Sequence, residues 1–458
     1  MAEPVRIAAF NTALSRKQAG ELAGDLAGGG DVQAQAVAYV LQSVRPDIVL
    51  LSEIDYTPAG EALDLLQSDY LAVPQAAHLD ALDYAHSFTA PVNTGLPSGM
   101  DLNRDGEIGG PGDAFGFGFH EGQYGMAVLS SLPIDAEAVR TFQTFSWADM
   151  PGALRPMLPA DNGGAPEPWY DDTTWAALRL SSKSHWDVPI SVGSQTLHIL
   201  AAHPTPPVFD GPEDRNGLRN HDEIRLFADY VTPGAADYLY DDAGGRGGLA
   251  EDAAFVILGD MNADPFDGDS SFEAARQFTE HARIGHEPIP SSAGGVEQAA
   301  RQGGANRTHE GDPAFDTGDF GDRAPGNLRI DYVLPSADLN VVDAGVFWPT
   351  SDQADALAAA EAASDHRLVW IDVLIDDAAE TRGALSTGAL RAALEPTEDR
   401  AHESASQAGG SPSSAPLGVL GMADPGCAGA GVDAGSVCAV SSDSVITPAS
   451  GAPGDGAG

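Results

Sequence analysis

The sequence is poor in cysteine, in lysine and in long hydrophobic runs. Its two cysteines, Cys427 and Cys438, are too few for a disulfide framework and wrongly spaced for a structural zinc site, leaving at most one local bridge. Lys17 and Lys183 are the only lysines, and 23 basic side chains stand against 68 acidic ones, a formal net charge of −45. A polyanion gains no counterion-release affinity for phosphate backbones, which excludes tight nucleic-acid binding while leaving nucleic acid open as a substrate. No apolar run approaches the roughly 18 residues of a membrane span, and Ile48 to Leu51 is only strand length. Aromatics make up just 7% of the chain, yet 43% of residues are hydrophobic, too many for wholesale disorder. The chain therefore reads as soluble, with a core of its own. The start, Met1-Ala2-Glu3-Pro4, has neither a basic n-region nor an apolar h-region. With the disulfide-capable pair, this reads as a secreted or periplasmic protein whose signal peptide is absent from this sequence, a cytoplasmic location being the alternative.

Short apolar runs interleaved with helical patterns extend from the first residues to about Leu374. Strands are expected at Val5–Phe10, Asp47–Leu51, Gly125–Ser130, Trp175–Leu180, Thr196–Ala202, Phe255–Leu258, Ile330–Leu334 and Leu368–Val373, and helices at Asp31–Val44 and Asn220–Tyr230. Many strands with few helices predict two sheets packed face to face with helices outside. The Gly/Pro/Asp-rich stretches at about 89–120, 147–173 and 263–327 are far longer than ordinary connections and read as functional insertions. The catalytic unit is expected to cover 1–376. Beyond it, 377–458 is Ala/Gly/Ser-rich, cannot bury a core and reads as a flexible tail.

Polar residues follow the apolar strands at their C-terminal ends, where active sites gather on layered α/β scaffolds. They read Phe10-Asn11-Thr12, Leu51-Ser52-Glu53, Ala202-His203-Pro204, Gly259-Asp260-Met261-Asn262-Ala263-Asp264-Pro265, Ile330-Asp331-Tyr332-Val333 and Ser364-Asp365-His366. Any one alone is more often a turn or helix cap residue. In this order, together with Gly122–Ile134, they resemble the endonuclease/exonuclease/phosphatase superfamily. That resemblance implies a four-layer α/β sandwich of two packed mixed sheets flanked by helices, and a magnesium-dependent phosphoesterase with manganese as a substitute.

Carried onto this sequence, the resemblance implies that Glu53 and Asn11 hold the metal, with Asp365 a second ligand candidate. It makes Asp260 the group that orients and deprotonates the attacking water, with Asn262 beside it. His366, charged by Asp331, faces the phosphate, and His203 donates near the scissile bond. One departure stands out: where pancreatic-type nucleases place a glutamate to orient the first histidine, this chain has Gln123, with Glu121 two residues earlier. A neutral amide is expected to orient His203 without raising its pKa. Arg179, Lys183 and His185 lie close together in sequence and are read as a phosphate clamp, or else as a solvated edge.

Asp101-Leu102-Asn103-Arg104-Asp105-Gly106-Glu107-Ile108 has the ligand spacing of a calcium loop but Gly112, then Asp113, where the twelfth ligand belongs. Asp101, Asn103, Asp105, Glu107 and Asp113 are thus candidate ligands of one Ca²⁺ bracing the first insertion, against the alternative of an Asp/Asn-rich turn. His309, Asp312, Asp316, Asp319 and Asp322 read as solvated surface. The leading expectation is a monomeric phosphodiesterase or phosphatase acting on a small or lipid phosphoester. The alternatives are an extracellular endonuclease and a non-catalytic, calcium-braced binding protein.

Overall fold

The computed structural model describes residues 3–160 and 165–375. The 377–458 segment, with Cys427 and Cys438, lies outside the described residues.

Eleven strands build two sheets. In chain order they are β1 (Val5–Asn11), β2 (Ile48–Ser52), β3 (His86–Phe88), β4 (Met126–Ser130), β5 (Arg140–Thr141), β6 (His185–Val192), β7 (Gln195–Ala202), β8 (Ala254–Asp260), β9 (Asp331–Pro335), β10 (Asn340–Val346) and β11 (Val369–Leu374). The first sheet runs β10-β11-β1-β2-β4-β3 and the second β9-β8-β7-β6-β5. Pairing is parallel at β1/β2 and β7/β8 and antiparallel at the other contacts, so both sheets are mixed.

Side-chain alternation divides the core into three layers. Ile7, Ala9, Leu50 and Val128 of the first sheet meet Val188, Ile199, Val256 and Leu258 of the second. Ala8, Phe10 and Leu51 point the other way, onto Val37 and Leu41 of helix α1 (Val32–Val44). On the far side, Leu200, Phe255 and Ile257 pack against Ile224 and Phe227 of helix α3 (Arg215–Val231), which follows the short α2 (Asp172–Ala177). Helix, sheet, sheet and helix make the four layers.

The expected strand at Trp175–Leu180 is not there. Asp171 accepts from Thr174 N at 2.7 Å as an N-cap, which starts α2, and a connecting stretch then leads into β6. That strand is absent from the sequence reading because Pro189 lies in its middle. The Pro189 carbonyl accepts from Asp135 N, so the N–H that proline lacks falls on that same outer side, away from β7. The 263–327 stretch is more than a loop, since it carries helix α4 (Ala293–Gln302), capped by Ser292 Oγ accepting from Gly295 N at 3.0 Å. A further helix, α5 (Ala354–Ala363), packs against α1.

Candidate active site

Backbone register brings the polar strand ends together. Asn11 is paired with Ser52 across β1/β2, which sets Glu53 beside it, and Asp260 is paired directly with Asp331 across β8/β9. Gly259 permits the approach, because a Cβ there would stand 1.9 Å from the Ala202 carbonyl oxygen. Glu53 (φ 59) and Asn262 (φ 51) both occupy the left-handed region, a strain that such residues bear where a side chain must be aimed.

Asp260 is the hub. Its Oδ2 accepts from Asn11 Nδ2 at 3.0 Å and lies 3.4 Å from His203 Nε2 and 3.8 Å from His366 Nε2, while Oδ1 accepts from Asn262 N at 2.9 Å. Burial opposes its ionisation, but the His366 charge and the His203 hydrogen bond win and hold the carboxyl well below the usual range. His366 Nδ1 donates to Asp331 Oδ2 at 2.9 Å. Burial alone would neutralise this imidazole; Asp331 and Asp260 overcome that and push it up to about 10. Among the described residues, Asp260, Asp331 and His366 are the one group of three or more His, Cys, Asp or Glu whose ligand atoms all lie within 4.8 Å of one another, a buried cluster suited to a divalent cation.

Three metal and orientation expectations change. Asn11 turns its Oδ1 to Ala13 N (3.1 Å) and its Nδ2 to Glu53 Oε1 (3.1 Å) and Asp260, so it bridges two acids as a donor instead of offering an oxygen ligand. Asp365 is exposed and does not line the cavity. Gln123 is buried but directs its amide to Phe119 N (2.7 Å) and the Arg16 carbonyl (2.8 Å), leaving His203 Nδ1 with no partner among the described residues. Burial, followed by the Lys183 charge, lowers the His203 pKa, so the ring is neutral.

The proposed clamp separates into three. Lys183 lines the cavity, 6% exposed, and its one hydrogen bond is to the Pro204 carbonyl at 3.4 Å. Burial lowers its pKa, and Glu223, Glu53 and Asp260, which favour the charge, offset this only in part, since no described carboxylate comes within ion-pairing distance. Arg179 instead donates to Asn93 Oδ1 (2.7 Å) and lies over the Phe115 ring, off the cavity wall. His185 turns into the core, edge-on to Phe227, with Ser181 Oγ at 2.7 Å from Nδ1 and Nε2 donating to the Glu223 carbonyl at 2.9 Å. Burial lowers its pKa to about 4.

A histidine depressed in the folded state gives stability that is fully present above its unfolded pKa of about 6.5 and is lost as pH falls through 4. The window is worth on the order of 3 kcal/mol. His185→Gln should therefore flatten the decline in unfolding free energy between pH 6.5 and 4. Parallel acid limbs in denaturant titrations of the two proteins would refute this.

In the first insertion, Asp113 is buried and accepts from the backbone N–H groups of Leu102 (2.7 Å), Asn103 (3.3 Å) and Gly109 (2.8 Å), so it holds the loop's own backbone. Asp101, Asn103 and Asp105 accept from neighbouring backbone N–H groups, and Glu107 is exposed beside them.

Residues from all three insertions wall a cavity of about 1070 Å³ that Glu53, His203, Asp260 and His366 also line. Several supports escaped sequence reasoning. Tyr124 lines the cavity, and burial, then Glu53, raises its pKa and keeps the phenol protonated. Buried Glu223 ties the Ser182 and Thr205 amides together at 2.5 and 2.6 Å. Thr317 Oγ1 accepts from Ile330 N and Asp331 N, and Arg367, paired with Asp319 at 2.8 Å, secures the carbonyls of Ser364 and His366. Glu223 and Thr317 lie outside the strand-end motifs, so no local pattern marked them.

The structure is similar to an endonuclease/exonuclease/phosphatase from Beutenbergia cavernae DSM 12333, at 18% identity and a TM-score of 0.44, over 82% of this chain and 73% of that one. It is also similar to sphingomyelinase C from Streptomyces griseocarneus, at 13% identity and TM-score 0.39, over 81% and 100%. A mannosyl-6-phosphatase from Bacteroides thetaiotaomicron VPI-5482 matches at 11% identity and TM-score 0.39, over 81% and 100%. No curated protein matches. The profile of the Endonuclease/Exonuclease/phosphatase family matches residues 10–366, spanning every motif from the end of β1 to His366. With that match and its buried Asp, Asp and His cluster, the chain belongs to the endonuclease/exonuclease/phosphatase family and is a metal-dependent hydrolase.

Proposed function

We propose that the protein hydrolyses a small or lipid phosphoester, as a secreted phosphodiesterase or phosphatase, in preference to nucleic acid. The observation that carries this reading is Lys183. A buried ammonium with no carboxylate in ion-pairing range is costly unless an anion completes it, and this one lines the cavity next to His203 and Asp260. The choice of a small substrate rests on the cavity, which has the volume of a small-molecule site, and on the net charge of −45.

Glu53, half-buried on the cavity wall, has the donor chemistry to hold Mg²⁺, with Asp260 beside it. When bound, the cation would neutralise charge on the phosphoryl group and leaving oxygen. The chain's own groups do the rest. Asp260, kept ionised, accepts the proton of the attacking water, and Asn262 positions that water or a phosphate oxygen. The His366 imidazolium and the Lys183 ammonium face the charge that grows on the phosphoryl oxygens, and the Tyr124 hydroxyl is free to donate there.

Lys183→Met keeps an unbranched side chain one atom shorter and deletes its charge. It should lower kcat/KM on bis(p-nitrophenyl) phosphate by about 10²–10³-fold, the range found when a preorganised donor to a developing charge is removed. Thermal stability should hold or rise, because an uncompensated buried charge is gone. Assays of both proteins against the monoester, the bis-ester and plasmid DNA test the substrate assignment. Undiminished turnover in the variant, or DNA as the preferred substrate of the wild type, would defeat the reading.

A further inference from the structure

The cavity of about 1070 Å³ is far larger than a phosphoryl group, and much of the wall that the reaction leaves unused is apolar. Three pieces of that wall start at catalytic side chains. Three residues after His203 the chain enters Pro206-Pro207-Val208-Phe209, all four of which line the cavity. Phe320, also on the wall, stands edge-on to the His366 ring at 5.6 Å between centroids. Phe117 follows Gly116, whose backbone is so close to Ser182 that a Cβ would stand 1.9 Å from its carbonyl oxygen, and Ser182 precedes Lys183. The apolar trough is therefore continuous with the phosphate end of the cavity.

The 206–209 wall is held in place and left bare. Pro206 and Pro207 carry no N–H, so they present hydrocarbon with no donor to satisfy. Asn216 of α3 brackets Phe209: its Nδ2 donates to the Val208 carbonyl and its backbone N to Asp210 Oδ2, both at 2.6 Å. Between these two bonds Phe209 keeps a left-handed backbone (φ 67), which a bulky residue rarely adopts, and its ring is 87% exposed. Phe117 is 56% exposed as well, touching Phe119 edge to face at 5.6 Å. A strained backbone that presents a bare ring to water adds nothing to folding, whereas a run of apolar residues on an open cavity wall marks a binding surface.

We propose that, on the phosphoester reading of this cavity given above, the trough receives an aliphatic chain esterified to the phosphate, so that the substrate is a phosphoester amphiphile with an alkyl or acyl chain. The 206–209 run has no side chain able to hydrogen-bond a sugar hydroxyl or the edge of a base. The Phe117–Phe119 and Phe320–His366 pairs are edge-to-face and do not sandwich a planar group. A flexible chain needs neither device, since contact with proline, valine and ring surface is enough to remove it from water. Nor does the net charge of −45 oppose an uncharged chain, as it opposes a polyanion.

The test reads binding directly. Methyl-, butyl-, hexyl- and octylphosphonate, whose C–P bond resists hydrolysis, are titrated calorimetrically into the full chain with Mg²⁺ present and each ligand below its micellar concentration. Kd should fall by about two- to fourfold for each added methylene until the trough is filled. Phe209→Ser and Phe117→Ser, both at exposed positions, should each flatten that dependence and cut the octyl-to-methyl affinity ratio by about fivefold. Lys183→Met should instead weaken every member by one common factor, because it acts on the head group. A Kd independent of chain length, with methylphosphonate still bound and still weakened by Lys183→Met, would overturn the trough and leave the phosphoester reading standing. Chain-length dependence with no effect of Lys183→Met would support the trough and fault the phosphate end. A dependence intact in both phenylalanine variants would place the chain elsewhere and overturn the proposal. Tighter binding of phenylphosphonate than of hexylphosphonate would make the occupant a planar ring and overturn it equally.

Discussion

Asp260→Asn should reduce kcat/KM by about 10²–10⁴-fold while leaving the protein folded. The asparagine is nearly isosteric, so the backbone bond from Asn262 N to Oδ1 can persist. What goes is the charge on which the Asn11, His203 and His366 side chains converge at 3.0, 3.4 and 3.8 Å. Two consequences compound. An amide cannot accept the proton of an attacking water, and His366 keeps Asp331 and the weaker Asp365 charge to sustain its imidazolium, which lessens the positive charge offered to the phosphoryl group. The measurement is steady-state turnover beside a thermal melt of the same preparation. Activity within a few-fold of wild type would show that the water is activated elsewhere. A loss of activity matched by a collapse of Tm would show that Asp260 matters to folding first.

The parts of this site that the sequence revealed are those that follow from one strand at a time. Asn11, Glu53, His203 and Asp260 each follow a short apolar run, and a polar residue at a strand end can be read without knowing what the strand pairs with, whereas His366 precedes β11 and was legible through Ser364-Asp365-His366. Lys183 was legible as a rare residue type, although its aim was not. That aim depends on a non-local bond, since Glu223 of α3 fixes the Ser182 amide and so the direction of the residue beside it. His185 failed for the opposite reason. Adjacent residues of a strand point to opposite faces, and nothing local says which face is the core. Gln123 sat at the expected place in the sequence, but its amide found the Arg16 carbonyl and Phe119 N–H closer than the histidine it was meant to hold. The Trp175–Leu180 error was one of period: a run of six residues fits a strand or one and a half helical turns, and the Asp171 cap decided between them.

Glu53→Gln should convert a modest metal requirement into a severe one. Glu53 is the carboxylate of the cavity wall nearest in role to a metal anchor, with Oε1 receiving a single hydrogen bond, from Asn11 Nδ2 at 3.1 Å. Its left-handed backbone holds the side chain over the cavity in a conformation a glutamine inherits without added strain, so shape is retained and only charge is lost. At an effective dielectric near 20, one unit charge about 4 Å from another is worth roughly 4 kcal/mol. Competition from water returns part of this, so the Mg²⁺ concentration for half-maximal rate should rise by about 10²–10³-fold. Excess Mg²⁺ or Mn²⁺ should then restore much of kcat, because Asp260, His366 and Lys183 are untouched. That split separates an anchor of the metal from a group acting on the phosphate, whose loss no concentration of metal repairs. Wild-type turnover that persists undiminished in EDTA, or a variant with an unchanged metal optimum and a lowered plateau, would remove Glu53 from the metal and leave it as a positioning residue for Asn11.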